Sequence, residues 1–525
     1  MQDLDPWQDL DTLQDLYVTA SIPYVNGAPH LGHALELVHA DVLARHRRLR
    51  GGAARLQSGT DDHALKNVTA ARGTGVAVDD LVARNGDRFV ALSAALGVRP
   101  DAFVRTSRHP GHADAVREVW RRCAAAGDLY PRSYSGLYCT GCEQFYAAGE
   151  LTGGRCPEHG TVPDEVTETN WFFRLSRYAG GLARLVADGV LDVVPAARRN
   201  EVLGFLAGEV EDVSVSRPAA RAQGWGVPVP GDPGQVVYVW FDALVNYVSG
   251  LGWPANGPDD GYQRWWAGGA GRVHVVGKGI ARFHTVLWPA LLLSAGLPLP
   301  TRVLVHDYLT VEGAKIAKSG AQAADPAALV ASYGVDAVRW WLVREPAPLT
   351  TTDFTVERLV GAHDRDLANG VGNLVSRTVA LARRRPVAAG PGRSAGTADA
   401  HDLLARVEHL PVAVDAAVAR YDLRAACTAL TDVVADAGRF VGRHEPWHLA
   451  RAAADGDATA GEHFDAVLGV LLSVCTAVAH ELRPFVPDGA ARLEGLLRSV
   501  SGQGGDPVPP AFPRVRPHGA GLGHL

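Results

Sequence analysis

At 525 residues the chain is too long for one ordinary core, and two to four domains are expected. With 47% apolar and 21% charged residues it reads as soluble and globular, with neither an 18-residue apolar span nor a secretory leader at its acidic start, so a cytoplasmic enzyme without a membrane partner is expected. The formal net charge of −6 excludes indiscriminate attraction of phosphate by the whole molecule and confines any nucleic-acid contact to local basic patches.

A polar, loose lead of about a dozen residues comes first. Leu16 to Ala20 then reads as a buried strand, Pro23 to Pro29 as a Gly/Pro/Asn loop and His30 to Arg50 as a helix. Within this strand, loop and helix unit, His30-Leu31-Gly32-His33 puts two imidazoles at a helix N-terminus, where they can donate to phosphate oxygens in the favourable field of the helix dipole. Strands and helices alternate to about residue 118 and resume in Val236 to Phe241 and Val273 to Val276, with a helix from Arg282 onwards. That pattern predicts a parallel sheet interrupted by an insertion.

The insertion carries Cys139-x-x-Cys142 and Cys156-Pro-Glu-His159, whose ligand types and spacing suit a tetrahedral structural zinc knuckle, with a disulfide or bare thiols as the alternative. Cys123, Cys427 and Cys475 read as small buried apolar residues. Further on, Lys315-Ile-Ala-Lys318-Ser319 offers two ammonium groups on a short loop, suited to charge building on a leaving pyrophosphate. From Leu359 to about Leu497 helical periodicity dominates, broken by the Arg/Pro/Gly-rich stretch Arg383 to Thr397. Beyond Ser499 the composition predicts a flexible or weakly docked tail.

From Tyr17 to about Pro487 the chain resembles the bacterial methionyl-tRNA synthetases. The resemblance rests on His30 to His33 and the lysine loop, in that order, and on Val18-Thr-Ala-Ser-Ile-Pro-Tyr-Val-Asn-Gly27, Gly59-Thr-Asp-Asp-His63, Asn170-Trp-Phe-Phe-Arg-Leu175, Val215-Ser-Arg217, Val239-Trp-Phe-Asp-Ala243, Arg282-Phe-His-Thr285 and Asp366-Leu-Ala-Asn369. It implies an α/β fold: a class I Rossmann-type catalytic domain in two halves (1–118 and 232–300), a connective insertion with a zinc knuckle (119–231), a stem-contact segment with the lysine loop (301–358), a helical anticodon-binding bundle (359–498) and a tail (499–525).

The same resemblance implies methionine activation with ATP and Mg2+, then transfer to tRNA(Met) with a CAU anticodon. ATP contacts fall to His30, Gly32, His33, Glu36, Lys315, Lys318 and Ser319, with His30, His33, Lys315 and Lys318 catalytic. Methionine contacts fall to Ile22, Tyr24, Asp61, Trp240, Tyr247, Ile280, Phe283 and His284, with Asp61 pairing the substrate ammonium and His284 or Tyr24 bonding weakly to sulfur. Rings suit a polarizable thioether, which gains about 0.3 to 1.5 kcal/mol against an aromatic face. Asn373 and Arg377, one helical turn apart, and Trp447 match the residues that read the anticodon.

Some positions depart from the family pattern. Ala317 replaces a serine in the lysine loop, which continues through Gly320, Ala64 replaces a glycine, and Gly279 replaces an aspartate near the ATP ribose, a loss expected to cost about 1.5 to 3 kcal/mol of ATP binding unless another group substitutes. They keep open a paralogue that activates an amino acid for tRNA-independent ligation in specialised metabolism, and a catalytically silent tRNA-binding protein. A second, inhibitor-resistant copy of a housekeeping enzyme is a further possibility, and a monomer is expected.

Overall fold

The computed structural model describes residues 15–139, 142, 144–255, 261–315, 325–384, 396–501 and 509–516. The polar lead, most of the Arg383 to Thr397 stretch, and Ala317, Lys318, Ser319 and Gly320 of the lysine loop lie outside the described residues. The chain divides into two units, one of residues 1–308 with 316–322 and one of residues 309–315 with 323–525.

The first unit is built on six parallel strands: β1 (Asp15–Ala20), β2 (Ala53–Thr60), β3 (Ala102–Arg105), β4 (Asp192–Val194), β5 (Gly271–Gly277) and β6 (Arg302–His306), in spatial order β3, β2, β1, β5, β6, β4. β1 is central, and Leu16, Tyr17, Val18, Thr19 and Ala20 are all buried, as expected of a parallel strand covered on both faces. Gly59 is required where β2 meets β3, since a Cβ there would lie 2.0 Å from the Val104 carbonyl oxygen. Helix α1 (Leu31–Leu49) follows β1 and carries the chain to β2, which pairs parallel to β1, the crossover connection that parallel pairing demands.

Two expectations differ from the fold. Val236 to Phe241, predicted as a strand of the parallel sheet, instead ends the strand Asp232–Val237, which pairs antiparallel with Ser216–Pro218, and then begins the helix Val239–Leu244. All six helix residues are buried, and a run apolar on every side carries no period from which helix and strand can be told apart. β4, within the span assigned to the insertion, is the edge strand of the catalytic sheet. The inserted layer is a separate antiparallel sheet of Gln144–Tyr146, Leu129–Cys139, Asp164–Phe173 and Val213–Ser214.

The second unit pairs a small sheet (Ala314–Lys315, Leu309–Val311 and Thr352–Phe354) with helices that include Asn373–Arg384, Ala398–Ala419, Leu423–His444, Pro446–Ala454, Ala458–Glu481 and Pro487–Arg498. Contrary to the composition reading, Ala458–Glu481 is long and apolar enough to cross a membrane. Its Phe464, Val467, Leu468, Leu471, Val474 and Val478 are buried in the bundle, which accounts for that character. Arg339, fully buried, donates to the carbonyls of Phe485 at 2.9 Å and Pro484 at 3.0 Å, satisfying the connection between Ala458–Glu481 and Pro487–Arg498. Within the expected flexible tail, residues 509–516 are docked: Ala511 and Phe512 are buried, and Arg514 donates to Asn369 Oδ1 at 2.7 Å. One aromatic ring anchors a segment whose composition is otherwise that of a linker.

Candidate active site

The His-x-Gly-His motif caps its own helix. His30 is the N-cap of α1; its Nδ1 accepts from the Gly32 amide at 3.2 Å, while His33 Nδ1 accepts from the His30 amide at 3.0 Å. The rings stack with centroids 3.7 Å apart. Because both Nδ1 atoms accept, each neutral ring carries its proton on Nε2, and both rings present an N–H donor at a helix N-terminus whose first turn holds no acidic residue. Gly32 leaves room for this stack, since a Cβ there would lie 3.0 Å from His30 Cε1.

Glu36, one turn further along α1, takes hydrogen bonds from protein groups: Ser21 Oγ, the Gly277 amide at 3.0 Å and His306 Nε2 at 3.1 Å. Burial alone would raise its pKa, but the bonds and charge from His306 and the Ser21 hydroxyl outweigh it and hold the carboxylate below the usual range. Glu36 thus ties the carboxyl ends of β1, β5 and β6 together around the crevice.

The aromatic residues converge beside it. Tyr24 pairs as an isolated bridge with Asp61, and its ring meets Trp240 edge-on at 6.1 Å; Trp240 stacks on Phe283 at 3.8 Å and 7°. Trp240, Tyr247, Asp61 and His284 are buried, Ile22, Tyr24, Ile280 and Phe283 partly so. Phe283 and His284 lie on a π-helical turn, Phe283–Leu287, a distortion common at functional sites. His284 Nδ1 donates to the Ile280 carbonyl at 3.0 Å and Nε2 accepts from Tyr247 Oη at 2.7 Å. Burial lowers its pKa to about 4. Of the two groups expected to bond weakly to sulfur, His284 or Tyr24, the His284 ring gives its single N–H to Ile280 in this arrangement.

Sequence reasoning missed the support beneath the pocket. Asp242, fully buried, takes His63 Nδ1 at 2.5 Å on one oxygen and His112 Nε2 at 2.8 Å on the other, and His112 Nδ1 meets Ser249 Oγ at 2.8 Å. Burial would lower the His63 pKa, yet the Asp242 charge and hydrogen bond raise it on balance. The His63 amide also donates to Asp61 Oδ1 at 3.2 Å, so this network sets the carboxylate expected to meet the substrate ammonium. The Trp-Phe-Asp-Ala motif was the available signal. Ala64 needs no glycine, because its φ of −59° is open to any residue.

At the knuckle the donor atoms of Cys139, Cys142, Cys156 and His159 all lie within 4.8 Å of one another, and the three cysteines are free. Three sulfurs and one imidazole nitrogen fit Zn2+ in a closed tetrahedral site, and Tyr146 Oη donates to Cys142 Sγ at 3.0 Å as an outer partner. Cys156→Ser is expected to drop bound zinc from about one per chain to a small fraction, read by metal analysis after dialysis, and to raise amide exchange over residues 156–161.

In the second unit, Lys315 lies on the two-residue strand Ala314–Lys315, paired with Thr310. Arg377 lies 5.3 Å from the Trp447 ring centroid, with Asn373 exposed one turn earlier on the same helix, directly after a π-helical run, His363–Gly372. Asn373 and Arg377 thus share one helix face, with the Trp447 ring against Arg377.

The family described as tRNA synthetases class I (M) matches residues 16–162 and 155–379. The chain is 35% identical over 499 residues to the methionine-tRNA ligase of Rhizobium meliloti, covering 91% of this chain and 94% of that protein. With the methionine-tRNA ligase of Caldanaerobacter subterraneus subsp. tengcongensis it shares 34% identity over 456 residues, 87% of this chain and 69% of that one. Mycobacterium tuberculosis methionyl-tRNA synthetase in complex with methionyl-adenylate superposes with a TM-score of 0.86 at 35% identity, covering 96% of this chain and 100% of the other.

Proposed function

The chain belongs to the class I methionyl-tRNA synthetases, and from that premise we infer how its own residues perform the reaction. It activates methionine with ATP to methionyl-adenylate and transfers the methionyl group to the 3′-terminal ribose of tRNA. The observation that carries the residue assignment is the pair of imidazoles capping α1 beside the aromatic pocket.

The methionine carboxylate attacks the ATP α-phosphate and pyrophosphate leaves. His30 and His33 act through Nε2–H, donating to phosphate oxygens as charge builds, with Gly32 permitting close approach and Lys315, Lys318 and Ser319 serving the departing pyrophosphate. Asp61 receives the substrate ammonium, and Ile22, Tyr24, Trp240, Tyr247, Ile280, Phe283 and His284 enclose the thioether. Glu36 positions these groups through Ser21, Gly277 and His306. Catalysis is then mostly orientation and electrostatics, with no covalent enzyme intermediate. Mg2+ would neutralise the nucleotide's phosphates; Cys139, Cys142, Cys156 and His159 would hold Zn2+, whose closed coordination gives it a structural part.

We assign the tRNA partner a CAU anticodon, read by Asn373 and Arg377 with Trp447 as the stacking platform. The expected working form is a cytoplasmic monomer. Relatives that are methionine-tRNA ligases over most of their length do not favour the tRNA-independent paralogue.

Charging of a CAU transcript with labelled methionine is expected, with a loss of about 10²-fold or more in kcat/KM when the anticodon is changed, since each lost base contact is worth about 1 to 3 kcal/mol. Equal charging of the changed transcript would sink the anticodon assignment. Methionine-dependent pyrophosphate exchange without any charging would return the tRNA-free reading.

A further inference from the structure

Residues 278–282 and 307–308 leave the carboxyl ends of the neighbouring strands β5 and β6, the end at which open α/β sheets bind ligands. The residues just before them, Gly277 and His306, both bond Glu36 of the helix that His30 caps, so this corner lies beside the phosphate-binding helix end. Gly279 is exposed there, and a Cβ on it would lie 2.4 Å from Tyr308 Oη. The phenol therefore occupies the space in which a side chain at 279 would begin.

That phenol is held from two sides. Its hydroxyl donates to Glu158 Oε2 at 2.9 Å. Lys278 Nζ lies 4.5 Å from its ring centroid and is fixed by Asp307 Oδ1 at 2.6 Å, while the other Asp307 oxygen takes Arg198 at 2.5 Å. Glu158 sits between Cys156 and His159, two of the four metal donors of the knuckle, so whatever fixes those donors also fixes Glu158. A second tie runs in parallel, from Arg282 to Glu150 at 3.7 Å.

We propose that Tyr308 is a positioning residue for ATP: anchored on Glu158, it transmits the metal-held geometry of the knuckle to the nucleotide end of the crevice, filling the place left by Gly279. This rests on the synthetase reading above. With its proton directed at Glu158, the phenol oxygen presents an acceptor beside Gly279, where a larger residue at 279 would itself have stood. A side chain at 279 would push the phenol from its present place, so the observed position of Tyr308 in this latch goes with glycine at 279.

The test uses the full-length, zinc-loaded chain and the variants Tyr308→Phe, Glu158→Gln and Gly279→Ala. Each is expected to raise the KM for ATP in pyrophosphate exchange by about 3- to 10-fold, with kcat and the KM for methionine within about twofold and zinc content unchanged. Tyr308→Phe with Glu158→Gln is expected to cost no more than either alone, as two ends of one bond must. Deuterium uptake supplies a readout independent of turnover. Stripping zinc from the wild type is expected to raise uptake over residues 302–308, and stripping it from Tyr308→Phe is expected to leave that segment unchanged. An unaltered ATP KM in both single variants, or the same uptake response in Tyr308→Phe as in the wild type, overturns the proposal. Absence of exchange in the wild type would instead overturn the synthetase reading, while the uptake comparison would still decide the latch.

Discussion

His30→Ala is expected to lower kcat/KM for methionine-dependent pyrophosphate exchange by about 10²- to 10³-fold, the scale of losing one preorganised donor to developing charge. The same substitution removes the acceptor for the Gly32 amide and should destabilise the unit by about 1 kcal/mol through the lost cap. The two effects separate with His30→Asn, whose side-chain oxygen restores the cap while placing no N–H where Nε2 stood. Denaturation midpoints near the wild type with exchange still down about 100-fold would assign the rate loss to the phosphate contact. Recovery of exchange in His30→Asn would mean that the imidazole serves only the helix.

Asp242→Ala carries the largest expected loss of stability, about 3 to 5 kcal/mol, because it removes the one carboxylate that both His63 and His112 bond in a buried site. Its pH dependence has a defined sign. The Asp242 pKa is lowered: burial opposes ionisation, but the charge of His63 and the hydrogen bond from His112 prevail, so its contribution is present above the ordinary carboxylate range and disappears as pH falls through the depressed folded value. The His63 pKa is raised, so its contribution is full below the unfolded histidine value and is lost as pH rises through the elevated folded value. The gap between wild type and variant should therefore be widest between about pH 4 and 6.5 and narrow above that range. Urea denaturation at pH 5.5 and 8.5, expressed as a difference of unfolding free energies, measures it. A gap that widens toward pH 8.5 would refute the assigned pair. The KM for methionine should also rise in the milder Asp242→Asn, through the His63 amide and Asp61.

What could be read from the chain was local. The strand, loop and capped helix of residues 15–49 follow from periodicity and residue type over a short span, and the knuckle from four donors between 139 and 159. The Asp242 network was hidden because His63 and His112 lie 179 and 130 positions from it, and no spacing rule reaches that far. The family resemblance flagged Gly279 as a deficit, yet it had no view of Tyr308, which only the juxtaposition of β5 and β6 brings into the same space. β4 escaped because three residues at a sheet edge carry too little pattern to distinguish them from a loop. Docking of the tail includes one ring, Phe512, which lies where a Cβ at Gly489 would meet it, a complementarity that composition averages away.

The central position of β1 also has a cost during synthesis. Thr19 of β1 meets His274 of β5 across 255 residues, so while the chain grows, one edge of this buried strand has no partner until the ribosome has finished nearly the whole first unit. At about 5 to 20 residues per second that is roughly 10 to 50 seconds in which β1 and β2 form an open-edged nascent sheet, competent to pair with a neighbour on the same polysome. The yield of folded enzyme from a heterologous host should accordingly depend on how that interval is covered, and holdase chaperones acting before residue 277 emerges should matter more than those supplied after release.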